Sequence, residues 1–183
     1  MADSDSGCIY RRALVSVSDK SGLIEFLKPF YEQGLKIYST GGTADHLRKN
    51  GFRVIDVSEL TGFPEVMNGR VKTLHPKVHM GLLARYELHE DRQTLKDFAT
   101  DIFDLVVVNL YPFRATLEKG ATHAELIEKI DVGGPTMLRA AAKNYRNITV
   151  ITDPADYQLK TWPADEATRL RLAQKVFSLT AEY

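Results

Sequence analysis

The sequence predicts an α/β fold of three layers, with a mostly parallel central sheet flanked by helices. Three observations carry that expectation. Short apolar runs at Arg12 to Val17, Lys36 to Ser39 and Phe103 to Leu110 alternate with segments that space apolar residues at helical intervals. Leu105-Val106-Val107-Val108 is apolar without a break, the pattern of a central strand covered on both faces. Polar turns follow the first two strands, at the edge where an open parallel sheet binds its ligands.

Taken in order, Arg12 to Val17 reads as a buried strand that runs into the polar residues Ser16, Ser18, Asp19, Lys20 and Ser21. Gly22 to Gln33 places Leu23, Phe26, Leu27 and Phe30 on one helical face, and Pro29 predicts a kink because an interior proline loses a hydrogen bond. Lys36 to Ser39 is a second strand. Ser39-Thr40-Gly41-Gly42-Thr43 then turns into a helix with Ala44 and Leu47 inward and Arg48 and Lys49 toward solvent. Arg53 to Val57 is a third strand, and Gly62, Pro64 and Asn68-Gly69 predict an irregular loop over Ser58 to Gly69. Glu87 to Phe98 is rich in charge and reads as a surface helix.

After the Phe103 to Leu110 strand, Asn109, Tyr111, Pro112 and Phe113 cluster at its carboxyl end. Thr122 to Ile130 is a short amphipathic helix, Asp131-Val132-Gly133-Gly134-Pro135 breaks it, and Thr136 to Lys143 is an alanine-rich helix. Ile148 to Ile151 is the last strand. Asp165 to Tyr183 is a terminal helix with Leu170, Ala173, Phe177 and Thr180 expected inward. No internal repeat or clear linker divides the chain, so a single domain over residues 1–183 is expected.

Twenty-four basic and 24 acidic side chains balance in a chain of 183 residues. No global field favours nucleic acid or membrane, so an anion site must be local and its ligand small. The lone Cys8 cannot form an intramolecular disulfide, no apolar run is long enough to cross a bilayer, and Met1 to Gly7 lacks the parts of a secretory signal. A cytoplasmic protein is expected.

The chemistry concentrates at Gly69-Arg70-Val71-Lys72-Thr73-Leu74-His75-Pro76, where two cations and a hydroxyl suit phosphate oxygens. The glycine-containing turn at Ser39 to Thr43 lets backbone N–H groups approach an anion at a helix amino terminus, and Ser16, Ser18 and Lys20 fall at the same point of the preceding strand-to-helix unit. Asn109 and Tyr111 converge there too. His75 and His79 have the i, i+4 spacing of a helical metal pair, but Pro76 lies between them and no third ligand is evident, so no metal is expected.

With those blocks in view, the chain resembles the inosine monophosphate cyclohydrolase domain of the bifunctional purine-biosynthesis enzyme whose other half is a transformylase. The resemblance rests on Ser-Val-Ser-Asp-Lys at 16–20, Ser-Thr-Gly-Gly-Thr at 39–43, Ser-Glu-Leu-Thr-Gly-Phe-Pro-Glu at 58–65 and Gly-Arg-Val-Lys-Thr-Leu-His-Pro at 69–76. Asn-Leu-Tyr-Pro-Phe at 109–113, Asp-Val-Gly-Gly-Pro at 131–135 and Leu-Arg-Ala-Ala-Ala-Lys-Asn at 138–144 extend it. It implies the methylglyoxal-synthase-like fold and closure of the purine ring of 5-formamidoimidazole-4-carboxamide ribotide to inosine monophosphate and water, without a cofactor. The transformylase domain is expected to be absent.

By resemblance, Ser16, Ser18, Lys20, Ser39, Thr40, Gly41, Arg70 and Thr73 hold the nucleotide phosphate, with Asn109 and Gly133 also binding substrate. Lys72, Tyr111, Asp131 and Lys143 match the catalytic positions, and a homodimer is implied. A lysine beside Asp131 is expected to lower its carboxyl pKa. Twelve positions separate Asp131 from Lys143, so a direct contact between them is not something the spacing predicts. Met80 departs from the small residue expected after His79. Two rivals remain at this stage, a phosphate-binding lyase of the methylglyoxal-synthase kind and a non-catalytic effector module. The polar loop from Ser58 to Pro76 speaks against the first, and the second has no use for Tyr111, Asp131 and Lys143.

Overall fold

The computed structural model describes residues 9–183; Cys8 and the expected leader at Met1 to Gly7 lie outside the described residues. Five strands form one sheet: β1 (Arg12–Val17), β2 (Lys36–Ser39), β3 (Val54–Asp56), β4 (Leu105–Asn109) and β5 (Thr149–Ile151). All neighbours pair in parallel, in the order β3-β2-β1-β4-β5. The order reverses between β1 and β4. Val17 stands opposite Asn109 in that register, so two sequence-predicted site segments meet at the switch.

Alternation along the strands divides the core. Ala13, Val15, Val17, Ile37, Leu105, Val107 and Ile151 face α1 (Leu23–Glu32) and α2 (Gly41–Lys49), where Leu23, Phe26, Leu27, Phe30, Ala44 and Leu47 are buried. Leu14, Val106, Val108 and Val150 face the other way. There they meet α3 (Val57–Thr61), α4 (Pro76–Leu83), α8 (Gly133–Lys143) and α9 (Glu166–Glu182) through Val57, Val78, Leu82, Met137, Leu138, Ala173 and Val176. The expected three layers are present.

Several boundaries differ from the sequence reading, each for a local reason. Val57 starts α3, because Asp56 and Glu59 form a reciprocal capping box and end the strand at Asp56. The loop expected over Ser58 to Gly69 therefore begins as helix, and Met67–Gly69 adds a 3-10 turn. The unforeseen α4 has Pro76 at its first position and His75 as its cap, with Nδ1 accepting the Lys77 N–H at 3.2 Å. A second unforeseen helix, α6 (Phe113–Glu118), follows β4.

The charge-rich surface helix is α5 (His89–Asp97), and the amphipathic one is α7 (His123–Glu128). α8 starts at Gly133, three residues earlier than expected; Pro135 sits in its first turn, where no intrahelical N–H bond is lost. Pro29 lies inside α1. Arg48 and Lys49 are exposed as expected, and Arg48 bonds Asp56 at 2.5 Å on the surface. On α9 the buried residues are Leu172, Ala173 and Val176, while Leu170 and Phe177 are exposed. The inward face is rotated from the predicted one because α9 packs on α8 and β5 together.

Candidate active site at the carboxyl edge of the sheet

The turn after β1 is held from both sides. Asn109 Oδ1 accepts the backbone N–H groups of Ser18 (2.7 Å) and Asp19 (2.9 Å), and its Nδ2 donates to the Asp19 carbonyl at 2.8 Å. From α2, the Thr43 hydroxyl accepts the Val17 N–H and donates to the Val17 carbonyl, each at 3.0 Å. The buried Ser39 hydroxyl donates to the Val15 carbonyl at 2.7 Å. Asn109 and Ser39 thus shape the edge with the side chains that sequence reasoning assigned to substrate. Lys20 turns back on the same loop, with Nζ 3.4 Å from the Ser18 carbonyl.

Gly41 opens α2 with φ of +52°, a conformation that side chains other than glycine rarely adopt. A Cβ built there lies 3.4 Å from Lys72 Nζ, so the ammonium rests against the start of the helix. Thr40 precedes it, buried, and its hydroxyl donates to the Glu65 carboxylate. An antiparallel bridge between Val66 and Val71 closes the turn at Met67–Gly69 and presents the following residues. Thr73 is buried, and its Oγ1 lies 2.8 Å from the Cβ position of Gly133, an approach only glycine permits. Arg70 is exposed and pairs with Glu128 of α7. Lys72 is half-buried and has no ion-pair partner among the described residues.

Asp131 leads into α8, where its Oδ1 accepts the Gly134 N–H at 2.8 Å. Burial pushes its carboxyl pKa up, against the opposing effects of the Gly134 N–H, the Lys72 charge and the Tyr111 backbone. The expected fall is therefore corrected. A nearby lysine is present, but desolvation of the carboxylate outweighs it. The Tyr111 ring is partly exposed and carries Lys129 Nζ 5.4 Å from its centroid. Lys143 lies at the far end of α8, exposed, about 15 Å of helix from Gly133. The fold puts Asp131 within reach of the Lys72 charge, without an ion pair between them, and leaves Lys143 at the far end of α8.

A cavity of about 220 Å³ opens at Asn109 itself, lined also by Asp19, Thr152, Asp153 and Lys175. Lys175 is held there by Asp153 and Asp156 at 2.8 and 2.6 Å, which leaves no free cation for a phosphate. Among the described residues, no group of three or more His, Cys, Asp or Glu is placed to hold a metal, and no helix is long and apolar enough to cross a membrane. Sequence reasoning missed Glu65 and Tyr183 as neighbours of the site, because their partners lie 25 and 52 residues away.

The model of the MGS-like domain matches residues 22–136. The chain belongs to the MGS-like domain family. A second model, the AICARFT/IMPCHase bienzyme, matches residues 141–183 of this MGS-like chain. The chain is 51% identical over 180 residues to the bifunctional purine biosynthesis protein PurH of Ruminiclostridium cellulolyticum, covering 94% of this chain and 35% of that protein. It is 52% identical over 181 residues to the PurH protein of Magnetococcus marinus, covering 94% and 34%. It spans about a third of the length of these curated relatives. A solved structure, described as the crystal structure of ForH, superposes with a TM-score of 0.80 at 33% identity, covering 94% of this chain and 92% of that one. The resemblance carried by the sequence blocks thus extends across nearly the whole MGS-like chain.

Proposed function

We propose that this chain is an inosine monophosphate cyclohydrolase, closing the purine ring of 5-formamidoimidazole-4-carboxamide ribotide with loss of water. One observation carries the reading beyond family likeness: the Lys72 ammonium rests against the Gly41 turn and its charge acts on the Asp131 carboxyl, so one cation serves an anion-binding edge and an acid–base group. The identity of about 50% to proteins named as bifunctional purine biosynthesis proteins supports it.

In this reading Ser16, Ser18, Lys20, Thr40, Gly41, Arg70 and Thr73 hold the nucleotide phosphate, with Ser39 and Asn109 keeping the turns in register. The carboxamide nitrogen attacks the formyl carbon. Lys72 and the backbone N–H near Gly133 stabilise the oxyanion that forms, and Asp131 orients the attacking amide and takes its proton. A raised carboxyl pKa makes Asp131 a better base than an ordinary aspartate. Tyr111 relays a proton toward the departing oxygen. No redox step occurs and no group is imported, so the reaction needs no cofactor.

The same reading treats residues 1–183 as one cyclohydrolase-like domain, in the cytoplasm, acting as a homodimer. Leu117, Ile127, Ile130 and Val132 are exposed around α6 and α7, neither of which buries a single residue, and a second copy would cover them. Lys143, too far along α8 to serve Asp131 of its own chain, is assigned to the site of that second copy.

The deciding experiment mixes the purified chain with formamidoimidazole carboxamide ribotide, without metal or folate, and follows inosine monophosphate by ultraviolet absorbance. Turnover that disappears in Lys72→Ala and Asp131→Ala while nucleotide binding persists is the expected result. Binding without turnover in the unaltered chain would replace the reading with a non-catalytic effector module.

A further inference from the structure

The turn that carries Asp131 has no regular structure of its own between α7 and α8, yet its backbone is tied down from a distant part of the chain. Tyr183, just past the end of α9, places its hydroxyl between two peptide groups of that turn. The hydroxyl accepts the Asp131 N–H at 3.0 Å and donates to the Lys129 carbonyl at 2.9 Å. Both hydrogen-bonding roles of a phenol are thereby filled. α9 is seated on α8 and β5, so the hydroxyl projects from a rigid support rather than from another loop.

We propose that Tyr183 is a positioning residue for ring closure, its hydroxyl fixing the Lys129–Asp131 turn so that the Asp131 carboxylate meets the reacting amide. The inference rests on the cyclohydrolase reading for its consequence, though not for its geometry. Two further features agree with it. Lys129, whose carbonyl Tyr183 holds, carries its ammonium over the ring of Tyr111, so one hydroxyl sets both the Asp131 backbone and the approach of a cation to Tyr111. Burial raises the pKa of the Tyr183 phenol, the Asp131 N–H that it accepts opposes the rise, and the Asp131 carboxylate and the Tyr111 side chain add to it. Tyr183 therefore faces the reacting groups without belonging to the phosphate cradle, whose residues lie on other elements.

That separation defines the test. Tyr183→Phe removes one oxygen and both hydrogen bonds but keeps the ring. The freed peptide groups lie near the surface, where water replaces the phenol, so the melting temperature should change little. Ring closure depends on the angle and distance of the carboxylate, so kcat should fall between about five- and a hundredfold while KM stays within about twofold. Amide hydrogen exchange of the segment 129–133, measured on the unliganded protein, should accelerate at least about tenfold in Tyr183→Phe.

Unchanged exchange at Asp131 overturns the positional claim whatever the activity. Faster exchange with unchanged kcat shows that the turn is held but that its position does not matter to the reaction, which also overturns the proposal. A parallel loss of melting temperature, kcat and nucleotide affinity assigns Tyr183 a structural role instead. If the unaltered chain has no turnover, the cyclohydrolase reading fails on its own evidence, and exchange still decides whether Tyr183 holds the turn.

Discussion

The Thr40 hydroxyl donates to the carboxylate of Glu65, so an internal anion lies over a turn suited to an external one. A phosphate arriving at Thr40 and Gly41 must displace Glu65 or share the space with it. Glu65→Gln keeps an acceptor and removes the charge. Affinity for inorganic phosphate should rise by about fivefold in titration calorimetry, and the gain should shrink at high salt. Weaker binding in this variant would mean that Glu65 supports the cradle rather than competes for it.

Asp131 gives a prediction in which stability and activity diverge. Its carboxyl pKa is raised in the folded chain by burial, above the ordinary value of 3.8. Between the unfolded and folded values, the folded state holds a proton that the unfolded state has released, so this residue's contribution to stability falls as pH rises through that window. Asp131→Asn should leave the melting temperature at pH 7 equal or slightly higher while abolishing turnover. In the unaltered chain, the acid limb of kcat should lie above the ordinary carboxyl value. A limb below it would show that burial does not govern the group.

Asn109 joins β4 to the turn after β1 through three hydrogen bonds. Asn109→Ala leaves two backbone N–H groups and one carbonyl to find other partners. A cost of about 1–3 kcal/mol is expected in urea unfolding, with nucleotide affinity reduced because Ser18 and Lys20 lose their fixed turn. Full affinity in the variant would assign the turn's order to Thr43 alone.

Two glycine substitutions separate the site from its scaffold. A Cβ on Gly134 would lie 2.5 Å from Asp131 Oδ2 and 2.7 Å from Leu110, whereas one on Gly81 would lie 2.7 Å from the Asp101 carbonyl oxygen. Gly134→Ala should lower kcat sharply by displacing the carboxylate. Gly81→Ala should cost about 1–3 kcal/mol or more in stability yet leave kcat per folded molecule unchanged. The reverse pattern would contradict the placement of the site at α8.

Lys143 and Asp131 at opposite ends of α8 predict complementation between copies. When inactive Lys143→Ala and Asp131→Asn chains are mixed and allowed to exchange subunits, about a quarter of full activity should return if each site draws Lys143 from its partner. A site assembled within one chain would restore none.

Strands were the most legible part of the chain, because continuous apolar runs such as Leu105 to Val108 have few other uses. The α4 helix is signalled by Pro76 at its first position and by Val78 and Leu82 one turn apart, though so short a helix leaves little periodicity to read. The face of α9 could not be read from periodicity alone, since two partners bury it from different directions. At the candidate site, type and spacing singled out Ser16, Thr40, Lys72 and Thr73, and the family resemblance singled out Asp131. The internal bonds of Ser39 and Asn109, the approach of Glu65 and the reach of Tyr183 depend on contacts between distant segments. The pKa of Asp131 was misjudged for a related reason, as burial is a property of the fold and the neighbouring charge is visible in the sequence.

The two family models meet inside α8, one ending at 136 and the other beginning at 141. That seam in the descriptions is no seam in the polypeptide. A cut placed there would divide the helix, remove β5 from the side of β4 and uncover Val106, Val108 and Leu138 at once. Anyone shortening this protein for expression, or exchanging segments between relatives, should treat the helix as indivisible and place the crossover in a surface loop.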